Sequence, residues 1–264
     1  MLKRNETVFG LHDTAREKSS CGVGFITRKD GVQTHKLLEK GHEALCSVPH
    51  RGGMSAEGVG DGAGVSVDLS IEFFQKITNT DLKAGQFGVG NFFMPNRQEQ
   101  RDKACQLIAS SLADSGLKIL AERDIAVDNG VLRSAAIDLQ LPITQWIFLA
   151  PMGISGVKFE KLIYSVLLAI ESQAYTDVEL DGLYPLSMSS QTQVLKGRLN
   201  SNEIIPYFKD LNDSSHSVNT LYFHTRFSTN TDPHPSMAQP FRLMAHNGCL
   251  LYTSPSPRDV EESR

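Results

Sequence analysis

The sequence predicts an α+β fold, and two observations carry that prediction. Predicted strands come in runs more than in strict alternation with helices, a pattern that favours layers of sheet and helix. Apolar residues recur at helical spacing in three segments, which are His35–Ser47, Arg97–Ser115 and Phe159–Tyr175. With 264 residues and no clear linker or internal repeat, the chain is long enough to bury a substantial core.

The strands are predicted from short apolar runs bounded by turn residues. In chain order they are Cys21–Arg28, Val65–Leu69, Gln86–Met94, Leu117–Val127, Arg133–Leu139, Gln145–Pro151, two strands within Tyr184–Gly197 and one that begins at Thr220. The first helix should end at Pro49, because proline cannot continue a helix. Cys46 and Cys105 fall in predicted helices, and we interpret both as structural residues.

Composition and charge exclude several classes of function. Hydrophobic residues make up 40% and charged residues 21%, which is ordinary for a globular protein, and a net charge of −4 gives no reason to expect nucleic acid or an anionic membrane as a partner. No apolar run approaches the roughly 20 residues that span a bilayer, and no secretory signal opens the chain. The four cysteines are scattered without a Cys-x-x-Cys pair, which predicts a reducing, cytoplasmic location.

The stretch Ser19–Ile26 places a cysteine at the start of the first strand. The twenty residues before it are mostly polar and show no period, so we interpret Met1–Ser20 as a leader whose removal exposes Cys21. An N-terminal cysteine carries its own base, because an α-amine with a pKa of about 7.7–8.0 can accept the thiol proton. The alternative is a cysteine buried in the core at the start of a strand.

A glycine-rich loop follows the first helix, from His50 to Gly64. It lacks the Gly-Lys-Ser/Thr ending of a phosphate loop and leads into a strand, so we do not assign it to phosphate binding. Such a loop must turn tightly or approach another group closely. We interpret it as lining a site, with Arg51 as its charged member; the alternative is a solitary surface arginine.

Two later strands end in groups that can bind a carboxylate and an oxyanion. Arg226 ends one strand and precedes a polar loop that includes Thr229 and Asn230, and a guanidinium matches the two oxygens of a carboxylate. Asn247 and Gly248 end another, and an amide beside a glycine N–H can direct two donors at one point. The alternatives are a paired or solvated arginine and an ordinary Asn-Gly turn.

Three histidines, His224, His234 and His246, lie close together in the sequence. They lack the helical i, i+4 spacing of a zinc protease and have no cysteine or acidic residue at ligand spacing. The sequence therefore predicts no metal site.

Taken together and in order, these motifs resemble the amidotransferase domain of the large subunit of glutamate synthase. The resemblance runs from about Gly10 to Gly248 and is carried by Cys21–Ile26, His50–Gly53, Gly60–Gly64, Arg226–Thr231 and Ala245–Gly248. Ser189–Thr192, Lys196-Gly197 and Gln239–Arg242 also match. Arg-Phe-Ser-Thr-Asn-Thr followed by His-Asn-Gly is specific in combination.

The resemblance implies a class II glutamine amidotransferase with the N-terminal-nucleophile hydrolase fold, a four-layer αββα sandwich. The reaction would be hydrolysis of L-glutamine to glutamate and ammonia. In the full enzyme the ammonia would reach synthase domains that aminate 2-oxoglutarate with FMN and an iron–sulfur cluster, served in some cases by a small electron-donating subunit. No cofactor is assigned to this chain.

The resemblance also assigns roles to residues. Cys21 would be the nucleophile, and Asn247 with Gly248 would form the oxyanion hole. Arg226 would bind the α-carboxylate of glutamine within a substrate site that includes Thr229 and Asn230, and Arg51 would brace the loop over the Cys21 amine. We therefore expect a leader at 1–20, an incomplete amidotransferase domain at 21–248, and a Ser/Pro-rich, non-native tail at 249–264.

Three other interpretations are open at this point. Class II amidotransferases that make phosphoribosylamine, glucosamine phosphate or asparagine also begin with Cys-Gly. An N-terminal-nucleophile amidase for a different amide would not need Arg226 for an amino-acid carboxylate. A binding or scaffold module would never expose Cys21 as an N-terminus.

Overall fold

A computed structural model describes residues 22–49, 52–225, 234–237 and 240–241. These residues form an α+β fold, as predicted. The helices are α1 (His35–Ser47), α2 (Ile71–Thr78), α3 (Gln98–Asp114), α4 (Ser134–Ile137), α5 (Gly156–Thr176) and α6 (Ile204–Tyr207). The strands are β1 (Val23–Thr27), β2 (Ala63–Asp68), β3 (Phe87–Phe93), β4 (Lys118–Asp124), β5 (Ile143–Leu149), β6 (Tyr184–Ser189), β7 (Thr192–Gly197) and β8 (Thr220–His224).

The first sheet joins strands from opposite ends of the described chain. Its order is β1-β8-β2-β7, and each neighbouring pair is antiparallel. Helix α1 packs against this sheet through Leu37, Leu38 and Leu45, which are all buried. Gly41 allows the close approach, because a Cβ there would lie 2.7 Å from the side chain of Leu221 on β8.

The second sheet has the order β4-β5-β3-β6 and is also antiparallel throughout. Helices α3 and α5 cover one of its faces and form a shared apolar core with Trp146 and Phe148 of β5. On α5, Ile163 and Ile170 are fully buried, as their helical spacing predicts. A separate apolar cluster, which includes Phe74 of α2, packs against other residues of β3 and β5.

A buried polar side chain connects the two sheets. Asn91 of β3 donates a hydrogen bond from Nδ2 to the Val194 carbonyl of β7, at 3.1 Å, and accepts one from Gln145 Nε2 at 2.9 Å. Asn91 and Gln145 are no more than 1% exposed. Because a buried polar group that loses its partner is costly, this contact fixes how the sheets pack.

His216 lies in the same buried region, stacked on Phe73 of α2 with ring centroids 4.4 Å apart. Its Nδ1 bonds to the Asp210 carbonyl oxygen at 2.8 Å, so Nδ1 is the donor. Its Nε2 lies 3.4 Å from Gln193 Nε2 and accepts there. Burial lowers the pKa of His216 to about 4, which keeps the ring neutral.

Three details differ from the sequence-based predictions. The strand predicted at Arg133–Leu139 is wrong: Ser134–Ile137 forms the short helix α4, and only Ala136 of that helix is buried. Helix α2 was not predicted, although Ser70 caps its first turn and Asn79 ends it with a φ of 48°. Cys46 is exposed on α1, near His42, instead of packing in the core.

Candidate active site

The carbonyl oxygen of Gly22 is the acceptor of two hydrogen bonds from Thr225. The backbone N–H of Thr225 donates at 2.7 Å and its hydroxyl at 3.1 Å. The backbone contact continues the β1–β8 ladder, in which Val23 pairs with His224, and the hydroxyl adds a side-chain contact to it. Thr225 is only 2% exposed, so its hydroxyl has little competition from water. The pairing holds together two chain positions about 200 residues apart.

A third chain segment approaches the same place at Gly52. A Cβ at Gly52 would lie 3.1 Å from the Thr225 carbonyl oxygen and 3.4 Å from that of Pro49. Glycine therefore lets the loop after α1 pack directly against the backbone at the end of β8. Gly22, Gly52 and Thr225 come together although they lie on three separate segments. Each is the covalent neighbour of a predicted site residue, namely Cys21, Arg51 and Arg226 respectively.

The glycine-rich loop is tight, as predicted. The backbone N–H of Asp61 donates to the Gly53 carbonyl at 2.9 Å, and a Cβ at Gly53 would overlap the Asp61 carboxylate at 1.5 Å. At Gly60, a Cβ would lie 2.3 Å from the backbone of Leu199. A side chain at Gly60 would push the loop away from the Leu199 backbone, whereas one at Gly53 would displace the Asp61 carboxylate within the loop. That the loop lines a catalytic site stays a prediction.

All seven predicted site residues lie outside the described residues: Cys21, Arg51, Arg226, Thr229, Asn230, Asn247 and Gly248. The roles assigned to them therefore stay predictions. The leader at 1–20 and the tail at 249–264 also lie outside the described residues. The structure does show Gly22, Gly52 and Thr225 packed together, an arrangement that we call the junction. Its three residues are the covalent neighbours of three of the seven predicted site residues.

The structure adds one residue for which the sequence predicted no role, Lys196. It lies on β7 opposite Gly64 of β2. Gly64 is opposite His224 of β8, and His224 is opposite Val23 of β1. Lys196 is thus on the same cross-strand row that begins next to Gly22. It is 1% exposed, and its Nζ donates to the Ser236 carbonyl at 2.8 Å. The signal available in the sequence was a lysine that directly follows two apolar residues, Val194 and Leu195, in a predicted strand.

Burial lowers the pKa of Lys196 to about 7 because desolvation disfavours the charged form. A buried lysine with a strongly lowered pKa is a common feature of functional sites. Its ammonium lies 4.6 Å from the centroid of the Phe241 ring and 5.3 Å from that of Tyr184, both within cation–π range.

The thiols of the described part of the chain are unpaired. Cys46 is exposed, and Cys105 on α3 is partly buried. Desolvation and the neighbouring Glu122 raise the pKa of Cys105 to about 12, so this thiol is a poor nucleophile.

Among the residues that the structure describes, no group of three or more His, Cys, Asp or Glu side chains could hold a metal ion. In the same part of the chain, no helix has the length and apolar character needed to cross a membrane. Of the three histidines considered in the sequence, His224 lies on β8 and His234 bonds through Nδ1 to the Ser236 hydroxyl at 2.7 Å. His246 lies outside the described residues.

A family model described as glutamine amidotransferases class-II matches residues 21–252. Three curated relatives share about a third of their residues with the chain. The NADH glutamate synthase of Saccharomyces cerevisiae is 32% identical over 250 residues, and the NADPH glutamate synthase large chain of Azospirillum brasilense is 31% identical over 247. The ferredoxin-dependent glutamate synthase 2 of Synechocystis is 32% identical over 249. These matches cover 90–92% of this chain but only 12–16% of the relatives' length.

Proposed function

The chain belongs to the class II glutamine amidotransferases, and from this premise we propose that it hydrolyses L-glutamine to glutamate and ammonia as one domain of a glutamate synthase. The likeness to glutamate synthases supports that assignment over the other class II enzymes. The observation that carries the proposal is the pair of hydrogen bonds between Gly22 and Thr225. They hold together the neighbours of the proposed nucleophile and of the proposed carboxylate-binding arginine.

The reaction begins when the thiol of Cys21 attacks the side-chain carboxamide carbon of glutamine. The free α-amine of Cys21 accepts the thiol proton and passes it to the departing nitrogen, which leaves as ammonia. The oxyanion that forms on the way is stabilised by the side-chain amide of Asn247 and the backbone N–H of Gly248. Water then hydrolyses the thioester, which releases glutamate and restores the thiol.

The substrate is recognised through the α-carboxylate of glutamine. Arg226 binds it through the planar fork of its guanidinium, and Thr229 and Asn230 complete the polar wall around it. Arg51 braces the glycine-rich loop over the Cys21 amine, and the close packing of Gly52 on Thr225 supports that placement. Arg51, Cys21 and Arg226 each adjoin the junction by a single peptide bond.

In the complete protein, we propose that the ammonia aminates 2-oxoglutarate in synthase domains that carry FMN and an iron–sulfur cluster. A small electron-donating subunit is the further partner that we propose for the complete protein. The N-terminal-nucleophile fold adds the proposal that the two antiparallel sheets stack as the inner layers of an αββα sandwich. The unpaired thiols of Cys46 and Cys105 agree with the proposed cytoplasmic location.

The test is a glutaminase assay on the purified protein, with glutamate and ammonia measured separately. Equal amounts of the two products, dependent on Cys21, are the expected result. Asparagine, which is one methylene shorter, should be hydrolysed far more slowly. Absence of glutamine hydrolysis in a protein whose N-terminus is Cys21 would contradict the proposal and favour a binding module.

A further inference from the structure

Lys196 occupies a site that would suit an apolar side chain. Its neighbours along β7, Val194 and Leu195, are buried with it, and Lys196 is itself 1% exposed. Burying an ammonium without an anionic partner is unfavourable, so methionine or leucine would fill this space at a lower cost. Within the described residues, no carboxylate forms an ion pair with Lys196. The presence of lysine therefore has to be explained by what its nitrogen contacts.

Those contacts lie on the Ser236 segment, by which we mean residues 234–237 and 240–241. Lys196 Nζ donates to the Ser236 carbonyl at 2.8 Å and lies 4.6 Å from the centroid of the Phe241 ring. It thus contacts both described parts of the segment, 234–237 and 240–241. Ser236 is 9% exposed, so water cannot readily replace the lysine as a donor to its carbonyl.

The other groups around Lys196 do not compete with the Ser236 carbonyl for the hydrogen bond that its Nζ donates. The Tyr184 ring lies on its β6 side, 5.3 Å away. Lys196 also lines a cavity of about 260 Å³ together with Tyr207 and Asp124. The carboxylate of Asp124 is paired with Arg101, and burial raises the pKa of Tyr207 to about 12, so that phenol stays neutral. Ser236 therefore receives the hydrogen bond of Lys196.

In the chain, the Ser236 segment lies between two proposed parts of the active site. Ser236 follows Arg226 by ten residues, and Phe241 precedes Asn247 by six. A support at Phe241 is thus closer in sequence to the oxyanion donors than to the substrate-binding arginine. Oxyanion donors have to be held to within a few tenths of an ångström to be effective, which calls for such support.

We propose that Lys196 is a positioning residue, which fixes the Ser236 segment on the first sheet and thereby places the Asn247–Gly248 pair. This inference rests on the proposed function. It assigns Lys196 no contact with glutamine and no part in proton transfer. Its effect should appear in kcat more than in KM, because oxyanion stabilisation acts on the transition state.

The experiment compares Lys196→Met, Lys196→Arg and the control Lys118→Met in the purified protein. Methionine keeps the length and packing of the chain but cannot donate to Ser236. Arginine keeps a donor and a cation that stacks on aromatic rings, and the adjoining cavity offers room for its larger head. Lys118 is an exposed strand lysine on β4 of the other sheet, so its replacement controls for the loss of charge.

Two measurements are made on each variant, hydrogen exchange of peptides covering 234–241 and steady-state kinetics with glutamine. In Lys196→Met we expect exchange of the Ser236 segment to rise at least tenfold and kcat to fall at least tenfold, with KM changed less than threefold. Lys196→Arg should recover most of both values, and Lys118→Met should match the wild type. Thermal unfolding checks that Lys196→Met is folded.

Unchanged exchange of the Ser236 segment in Lys196→Met would overturn the proposal, and so would raised exchange with a wild-type kcat. Equal losses of kcat and thermal stability in both Lys196 variants would show a merely structural role and also overturn it. A wild-type protein that does not hydrolyse glutamine would instead refute the proposed function. In that case the exchange measurement still decides whether Lys196 holds the segment.

Discussion

Thr225 donates two hydrogen bonds to the carbonyl oxygen of Gly22, one from its backbone N–H at 2.7 Å and one from its hydroxyl at 3.1 Å. The first would form with any residue except proline at this position, because it is a backbone contact of the β1–β8 pairing. The second depends on a hydroxyl. Threonine thus adds a side-chain contact at the point where the strand of the proposed nucleophile meets the strand of the proposed substrate-binding arginine.

Thr225→Val should lower kcat/KM for glutamine by about 2- to 10-fold, since a neutral hydrogen bond contributes roughly 0.5–1.5 kcal/mol. Valine keeps the branched shape but cannot donate to Gly22. Steady-state kinetics measure the effect. The control is Thr220→Val at the other end of β8, where the threonine hydroxyl bonds to Thr27 at 2.8 Å on the surface. Equal kinetic effects of the two substitutions would contradict a special role for Thr225.

A diazo-ketone analogue of glutamine should label Cys21 and no other cysteine, because reaction requires the amino-acid site beside an activated thiol. Cys21→Ala should abolish hydrolysis, whereas Cys46→Ala and Cys105→Ala should retain it. Peptide mass spectrometry locates the label. Cys46 provides a stringent control, because it is exposed and should react with a general alkylating reagent. Labelling of Cys46 by the analogue, unaffected by added glutamine, would argue against a specific site.

The active protein should begin at Cys21, because the mechanism needs a free α-amine on the nucleophile. Intact-mass measurement and Edman degradation of the purified protein check this. A Ser20→Pro variant places a rigid imino acid directly before the peptide bond that is cleaved, so it should impair processing. Activity should fall by the same fraction as the amount of processed protein. Full glutaminase activity in a protein that retains Met1–Ser20 would refute the prediction.

Arg226→Lys should raise KM for glutamine by about 10- to 150-fold, since a charge-assisted bidentate contact contributes roughly 1.5–3 kcal/mol. Lysine keeps the charge but lacks the planar fork. The matched control is Arg28→Lys after β1, where the arginine pairs with Asp30 on the surface. An exposed pair contributes little, so that substitution should leave KM unchanged. An unaltered KM in Arg226→Ala would remove this role.

Local periodicity in the sequence was sufficient to find the long elements but not the short ones. Helix α1 has the predicted bounds, His35–Ser47, because its apolar residues recur on one face. Ser134–Ile137 was misread as a strand because a run of small and apolar residues has no diagnostic period over one turn. Only tertiary packing decides the conformation of such a run.

At the candidate site, prediction from the sequence was limited in a different way. Sequence motifs named Cys21, Arg51 and Arg226, but the register that joins Gly22 to Thr225 depends on strand pairing across the whole fold. Lys196 was noted within a family motif, yet nothing in its neighbours along the chain showed that its ammonium is buried against Ser236. Residues whose role depends on contacts between distant segments are those that a single sequence does not reveal.

The stability of the protein should fall as the pH drops from about 6.5 to about 4, because His216 must stay neutral in the fold. Its pKa is about 4 when folded, against an ordinary value of 6.5. Between these values the unfolded chain binds more protons than the folded one, so the free energy of unfolding decreases as the pH falls. The expected loss between pH 7 and pH 5 is about 2 kcal/mol, measured by urea denaturation.

A His216→Gln variant should lose this pH dependence, since glutamine does not titrate, even though it is less stable at pH 7. The wild-type protein, measured in parallel, gives the reference slope. Asp213 contributes little to the difference in stability between pH 7 and pH 5. Its hydrogen bond to Lys76 holds its pKa below the usual range, so the carboxylate stays ionised in the folded protein at both pH values. A wild-type protein with the same free energy of unfolding at pH 5 and pH 7 would show that His216 is protonated without cost. The buried stacking on Phe73 and the Nδ1 donor to Asp210 would then have to be abandoned as the reason for its neutrality.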